Sequence, residues 1–195
     1  MAEKIDDNTA APKDADKKSD AQKRIEKLLK YLIDRSEDRG IMADLRCALV
    51  EGKRHRAWPY IVRFYNKKED KHLERTVRTI AGLYATHPET TQEGDFGTMC
   101  RKLLGDEERK KLDTAEGVGP ITRRFQHLLA AEGEEIFDRV VRFVLRAKAA
   151  DEISINYVEL YKSLDDWQWP DGADRVRTRW ARSFWTPKVE DEVEE

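Results

Sequence analysis

The residues best suited to chemistry in this chain are arginines that repeat along predicted helices. Near the C-terminus, Arg175, Arg179 and Arg182 recur at i, i+4 and i+7, which places them on one side of a helix. The other side of this helix consists of Val176, Trp180 and Phe184, with Ala173 beside them. Guanidinium groups donate in a planar fork and keep their charge, so the stripe suits phosphate. A solvated face with salt bridges is the alternative.

A second stripe repeats the pattern, because Arg139, Arg142 and Arg146 recur at i, i+3 and i+7. Further basic residues precede it on predicted helices: Arg101, Lys102, Arg123 and Arg124. If adjacent helices pack antiparallel, these rows merge into a groove that follows a phosphate backbone. The alternative is neutralisation within the helix by acidic neighbours, namely Glu132, Glu134, Glu135 and Asp138.

No pattern of residues predicts catalysis, a metal site or a bound cofactor. Cys47 and Cys100 match no zinc or redox spacing, and a buried, reduced thiol is expected at Cys47. The histidines form no ligand pair: His55, His72, His87 and His127. Adjacent carboxylates at 107–108 and 165–166 point about 100° apart on a helix, which is poor geometry for a shared site. A hydrolase or nuclease would lack its ligand cluster, so the sequence predicts no enzyme.

The net charge of −2 hides a segregation of charge along the chain. Residues 1–22 carry four Lys and six acidic residues, and residues 188–195 carry one Lys and five acidic residues. The remaining body is therefore +4, and residues 39–78 alone hold eleven basic and five acidic residues. This moderate excess permits a polyanionic partner. Without a long apolar run or a signal segment, the default location is the cytoplasm.

Helical periodicity runs through the whole body of the chain and predicts an all-α fold. Apolar residues recur at helical spacing in the segments 25–33, 41–49, 57–65, 73–84, 96–103, 121–129, 136–147, 155–164 and 174–185. We predict a bundle of roughly eight to ten helices in two packed subdomains, 23–104 and 120–187, joined by a connection at 105–119. Residues 1–22 and 188–195 are predicted to be disordered tails, since they lack enough apolar residues to offset ordering.

Tryptophans are the remaining residues that suit nucleic-acid chemistry, because indoles stack on bases. At helical spacing large aromatics usually pack in a core, and the sequence predicts that role for Trp58, Trp167, Trp180 and Trp185. Trp169 precedes Pro170 in a predicted loop and is the one stacking candidate that the sequence favours.

Five motifs occur in an order that resembles one known family. They are residues 32–35 (LIDR) with 38–49 (DRGIMADLRCAL), 57–60 (AWPY), 123–129 (RRFQHLL), 157–160 (YVEL) with 164–167 (LDDW), and the ending 176–185. Together they cover about residues 25–185 and resemble CasB, the small subunit of the type I-E CRISPR surveillance complex Cascade. At Cys47 the chain departs from the family's Leu-Arg-Arg pattern. A basic contact is lost at this position, and the role of Arg46 is in doubt as a result.

The resemblance implies a non-catalytic, all-α subunit, two copies of which lie along Cascade. The implied partners are the crRNA-bearing backbone subunits, the large subunit, a second copy of the chain, the crRNA–target DNA hybrid and the displaced non-target strand. Sequence specificity then comes from base pairing, so the subunit needs only backbone electrostatics. The resemblance places strand-binding residues near Arg101–Lys102, Arg123–Arg124 and Arg175 with Arg177.

The predicted nucleic-acid contacts combine this resemblance with the two stripes. They are Arg101, Lys102, Arg123, Arg124, Arg139, Arg142, Arg146, Arg175, Arg177 and Arg179. The alternative function is an all-α assembly module whose arginines bind acidic protein partners rather than DNA. Binding of single-stranded DNA at low salt distinguishes the two functions, since only the first requires it.

Overall fold

A computed structural model describes residues 13–65, 70–114, 117–150 and 153–186, and in these ranges the chain is all-α without strands. One isolated bridge joins Thr90 to Ile155. The helices are α1 (Lys13–Asp34), α2 (Arg39–Arg46), α3 (Trp58–Ile61), α4 (Lys71–Thr86), α5 (Phe96–Lys102), α6 (Asp106–Asp113), α7 (Pro120–Leu129), α8 (Glu135–Ala149), α9 (Tyr157–Asp166) and α10 (Pro170–Trp185). The prediction of an all-α bundle of eight to ten helices is confirmed. None of the helices described is long and apolar enough to cross a membrane.

Several of these helices begin with a residue whose side chain caps the first turn. These caps stand where turn-forming residues give way to apolar residues at helical spacing. Asp70 accepts a hydrogen bond from the Leu73 amide at 2.8 Å, and Asp95 forms a capping box with Thr98. Asn156 caps α9 by accepting a hydrogen bond from the Glu159 amide at 3.1 Å. Pro120 is the first residue of α7, where its missing amide proton costs nothing.

The described residues begin within the predicted N-terminal tail. Helix α1 begins at Lys13, whereas the predicted tail extends to Gln22. The residues ahead of the amphipathic pattern include Ala, Lys and Gln, which are good helix formers. Residues 1–12 and 187–195 lie outside the described ranges, and the second of these includes the whole predicted acidic tail, 188–195.

Buried side chains from both predicted halves of the chain form one apolar cluster. Helix α4 lies near its centre and packs against α1, α2, α8 and α9. Leu28 of α1, Ile80 of α4 and Leu164 of α9 are completely buried in the cluster. The predicted subdomains 23–104 and 120–187 therefore share a core at the level of side-chain packing.

Aromatic contacts join the three helices that carry most of the predicted binding residues. Phe125 of α7 stacks on Phe184 of α10, with ring centroids 4.1 Å apart. On α8, Phe143 meets the same Phe125 ring edge-on at 6.4 Å. The Phe125 ring of α7 thus contacts both α8 and α10. Phe125 contacts Phe184, whereas Leu129, further along α7, contacts Arg177, which is earlier in α10. The two helices are therefore antiparallel.

Two of the tryptophans predicted to be core residues are at the surface. Trp58 is 48% exposed and Trp185 is 36% exposed, whereas Trp167 and Trp180 are buried. The prediction is wrong for Trp58 because its helix α3 is only four residues long and presents that position outward. Cys47 is half-buried rather than buried, so the expectation for that thiol also needs correction.

Candidate nucleic-acid interface

The α8 stripe faces solvent and is only weakly neutralised. Arg142 and Arg146 are exposed, and neither makes a hydrogen bond or ion pair with any residue in the described ranges. Arg139 is partly exposed and lies 3.7 Å from Glu135, an i, i+4 pair that contributes little at a surface. The predicted neutralisation by Glu134 and Asp138 does not occur, since both of those carboxylates pair with Arg75 of α4 instead.

Helix α7 adds two cations beside this stripe. Arg123 is exposed and has no partner among the described residues, and Arg124 donates back to the Pro120 carbonyl at 3.2 Å. The buried face of the same helix consists of Thr122, Phe125 and Leu128. Helix α7 packs on α8, and both helices carry exposed arginines. The merging of these rows into one groove stays a prediction.

The α10 stripe is of mixed character. Arg175 and Arg182 are exposed, and within the part of the chain that the structure describes neither is paired. Arg179 is anchored, since its Nη2 donates to Ser163 Oγ at 2.6 Å and its Nε lies 3.9 Å from Asp95 Oδ2. The shallow groove beside the stripe is lined by Asp171, Asp174, Arg175, Thr178, Arg179, Arg182 and Ser183. Its two aspartates weaken the attraction of this groove for a polyanion.

Arg177, one of the predicted DNA contacts, has a structural role. Its Nε and Nη2 donate to the carbonyls of Leu129 and Ala131 at 2.9 Å each, and its Nη1 donates to Asp174 at 2.8 Å. The guanidinium also lies over the Trp167 ring, 4.8 Å from its centroid. These contacts stabilise the C-terminal end of α7, whose last carbonyls lack helical partners. They leave Arg177 few donors for a phosphate.

Arg101 also serves the fold. Its Nη1 donates to the Phe184 carbonyl at 2.7 Å, in the last turn of α10. The adjacent Lys102 is exposed at the end of α5 and has no hydrogen bond or ion pair with a described residue. Of this predicted pair, Lys102 is therefore the side chain that remains accessible to a ligand.

One carboxylate from each of the adjacent pairs 107–108 and 165–166 interacts with other parts of the fold. Glu108 accepts two hydrogen bonds from Thr122, one from its amide at 2.7 Å and one from its hydroxyl at 2.9 Å, and thereby ties α6 to α7. Burial raises the pKa of Asp165, while the nearby Arg24 and His72 oppose this rise. Among the residues that the structure describes, no three His, Cys, Asp or Glu side chains form a group able to hold a metal ion.

Sequence reasoning missed a further basic group on the first half of the chain. Arg54 and Arg78 are both half-buried, and the positive charge of Arg54 helps to lower the pKa of Arg78, although the two residues are 24 positions apart in the sequence. The excess of basic residues between positions 39 and 78 was the available signal. Periodicity did not identify them, because only tertiary packing brings the two together.

Comparisons with known proteins agree with this architecture. A family model described as CRISPR-associated protein Cse2 matches residues 41–185. Three similar crystal structures are CasB from Thermus thermophilus (22% identity, 82% of this chain and 96% of that chain, TM-score 0.62), CasB from Thermobifida fusca (23%, 85% and 96%, 0.62) and M. ruber CasB (22%, 83% and 92%, 0.63). A comparison with curated proteins found no match.

The family match covers about three quarters of the chain, and the structural matches extend over nearly the full length of the solved proteins. The order of motifs, the all-α architecture and the family match therefore agree. The chain belongs to the CRISPR-associated Cse2 family, also called CasB, and is a subunit of the type I-E Cascade complex.

Proposed function

We propose that this subunit binds nucleic acid through the exposed arginines of α7 and α8 and stabilises the R-loop, including the displaced non-target strand. The observation that carries the proposal is the set of unpaired cations on two adjoining helices, Arg123, Arg142 and Arg146. Unpaired surface guanidinium groups retain their donors for phosphate oxygens. Arg124, Arg139, Lys102 and Arg175 extend this surface.

The arrangement suits a non-catalytic contact with the strand backbone. No group of three described His, Cys, Asp or Glu side chains could hold a metal ion, and arginine forks at phosphate position a strand without reading its bases. Binding through such contacts is tolerant of sequence and weakens as salt rises. In Cascade, guide pairing would supply the sequence specificity while this surface adds backbone attraction. The proposed partners are the guide–target hybrid, the displaced strand, the other subunits and a second copy of this chain.

Charge reversal of the α8 stripe tests the proposal. The triple variant Arg139→Glu, Arg142→Glu, Arg146→Glu is expected to shorten R-loop lifetime about tenfold, and to lower the salt slope for single-stranded DNA by about 2, since each lost phosphate contact contributes about 0.7. Complex assembly should persist because the stripe residues lie on the solvent side of α8. Single-molecule R-loop dissociation and fluorescence anisotropy against salt measure the two effects.

The matched control is the triple variant Lys23→Glu, Lys27→Glu, Lys30→Glu on α1. These lysines are exposed and have the i, i+4, i+7 spacing, so the variant makes the same charge change on a different surface. It should leave R-loop lifetime close to that of the unmodified protein. An unchanged R-loop in the α8 variant would contradict the proposal. Absence of any single-stranded DNA binding by the isolated subunit at low salt would favour the assembly module.

A further inference from the structure

The acidic tail, residues 188–195, follows the end of α10 in the chain. It carries one lysine and five acidic side chains within eight residues, so its net charge is −4. Helix α10 ends at Trp185, only two residues before the tail begins. The tail therefore brings a high density of negative charge to the elements that surround the last turn of α10.

Contacts of this last turn identify those elements. Arg101 of α5 donates to the Phe184 carbonyl at 2.7 Å. The ring of Trp185 lies 5.4 Å from the ring of Phe125 in α7, measured between centroids. Phe125 in turn contacts Phe143 of α8 at 6.4 Å. The end of α5, the middle of α7 and the middle of α8 thus adjoin the point from which the tail departs.

Exposed cations stand next to each of these contacts. The residue after the α5 contact, the two residues before the α7 contact, and the residues one before and three after the α8 contact are all basic and exposed. They are Lys102, Arg123, Arg124, Arg142 and Arg146. Since a helical turn rises only about 5.4 Å, the backbone of each lies within about 25 Å of Trp185.

The tail is long enough to reach these cations. Nine residues, 187–195, span up to about 30 Å when fully extended. A segment tethered at such a distance is presented to the surface at an effective concentration on the order of millimolar. Single ion pairs at a surface are weak, but several of them made by one tethered segment reinforce each other. Opposite charge and reach therefore favour an interaction between the tail and this surface.

We propose that the acidic tail binds the exposed cations of α5, α7 and α8 and competes there with a nucleic-acid strand. This inference rests on the proposed function, because carboxylates and phosphodiesters accept hydrogen bonds from the same guanidinium donors. A strand free in solution must displace the tail and so binds weakly. A strand held beside the subunit in Cascade has its own high effective concentration and displaces the tail more readily. The tail thereby lowers binding to unrelated nucleic acid.

Neutralising the tail in the full chain tests the proposal. The neutral-tail variant is Glu190→Gln, Asp191→Asn, Glu192→Gln, Glu194→Gln, Glu195→Gln. At about 50 mM salt it is expected to bind a fluorescent oligothymidine about fivefold more tightly than the unmodified protein, the effect of losing a few weak, tethered ion pairs. The difference should shrink as salt rises, since such pairs are screened. Fluorescence anisotropy at several salt concentrations measures both effects.

The matched control makes the same change of net charge on another surface. It neutralises five exposed acidic residues of α1 and of the turns that follow α1 and α2: Asp20→Asn, Glu26→Gln, Asp34→Asn, Glu37→Gln, Glu51→Gln. Any general effect of net charge on the attraction of a strand appears in both variants. The control should change the affinity less than about twofold, because exposed charges more than a Debye length from the strand are screened.

Cross-linking reports the position of the tail without relying on affinity. Carbodiimide coupling joins a carboxylate to an adjacent ammonium group as an amide, and Lys102 is the exposed lysine beside the last turn of α10. Mass spectrometry of the unmodified protein should detect a cross-link between residues 190–195 and Lys102, and none to the exposed Lys27 of α1. Excess oligothymidine should abolish the cross-link, and its yield should not depend on protein concentration.

Equal affinity of the neutral-tail variant and the unmodified protein for oligothymidine would overturn the inference and leave the proposed function intact. An equal gain of affinity in the control variant would also overturn it, since net charge alone would then account for the effect. A Lys102 cross-link that persists under excess oligothymidine, or whose yield rises with protein concentration, would contradict competition within one chain. If even the neutral-tail variant does not bind oligothymidine at low salt, the proposed function fails together with the inference.

Discussion

Replacing Arg177 with alanine is expected to lower the free energy of unfolding by about 3 kcal/mol, since one side chain bridges α10 to the end of α7. The change removes two hydrogen bonds to the Leu129 and Ala131 carbonyls and the stacking of the guanidinium on Trp167. Hydrogen bonds to a charged group each contribute about 1.5–3 kcal/mol, and bonds made by one side chain do not add fully. Urea unfolding followed by circular dichroism measures the loss.

Arg175→Ala is the matched control for this variant. Arg175 is two residues away on the same helix, is exposed and has no partner in the described ranges, so its removal should change stability by less than about 0.5 kcal/mol. Arg177→Lys should recover only part of the loss, because an ammonium group lacks the planar fork that reaches two carbonyls. If Arg177→Ala unfolds at the same urea concentration as the control, the structural role assigned to Arg177 is wrong.

The contrast between Arg175 and Arg177 shows what periodicity predicts and where it stops. The spacing of Val176, Trp180 and Phe184 correctly predicts the buried face of α10. It also predicts that the arginines lie off that face, but the partner of each one depends on its neighbours. The Leu129 carbonyl that engages Arg177 is 48 residues away in sequence. Its position follows from the packing of α7 on α10, which no local pattern encodes.

The two basic groups differ in the same way. The α8 stripe was predictable because one helix carries all three of its arginines. Their i, i+3, i+7 spacing places them on one face of the helix, away from its buried apolar residues. Arg54 and Arg78 belong to a short 3₁₀ turn and to α4, so no spacing relates them. Trp58 was misassigned for a related reason. An aromatic in a helix of one turn has too few neighbours of its own to define a buried side.

Gly97→Ala is the second substitution with a large expected effect, because α5 crosses α10 in direct backbone contact. A Cβ at Gly97 would lie 2.1 Å from the Trp180 carbonyl oxygen, which belongs to a rigid helix and cannot rotate away. We expect a loss of about 2–3 kcal/mol, since overpacking of this kind costs about that much even after the better helix propensity of alanine is included. Urea unfolding of the variant gives the value directly.

Gly105→Ala is the control for this substitution. Its added Cβ would have no atom within 4 Å and its backbone conformation suits any residue, so only the weaker N-cap preference of alanine at the start of α6 opposes it, and its free energy of unfolding should stay within about 1 kcal/mol of the unmodified protein. In the Gly97 variant the two helices must separate, which strains the hydrogen bond from Ser183 to Asp95 and that from Arg101 to the Phe184 carbonyl. Equal stability of the Gly97 and Gly105 variants would show that α5 can move away from α10 freely, and Arg101 could then leave Phe184 for a strand.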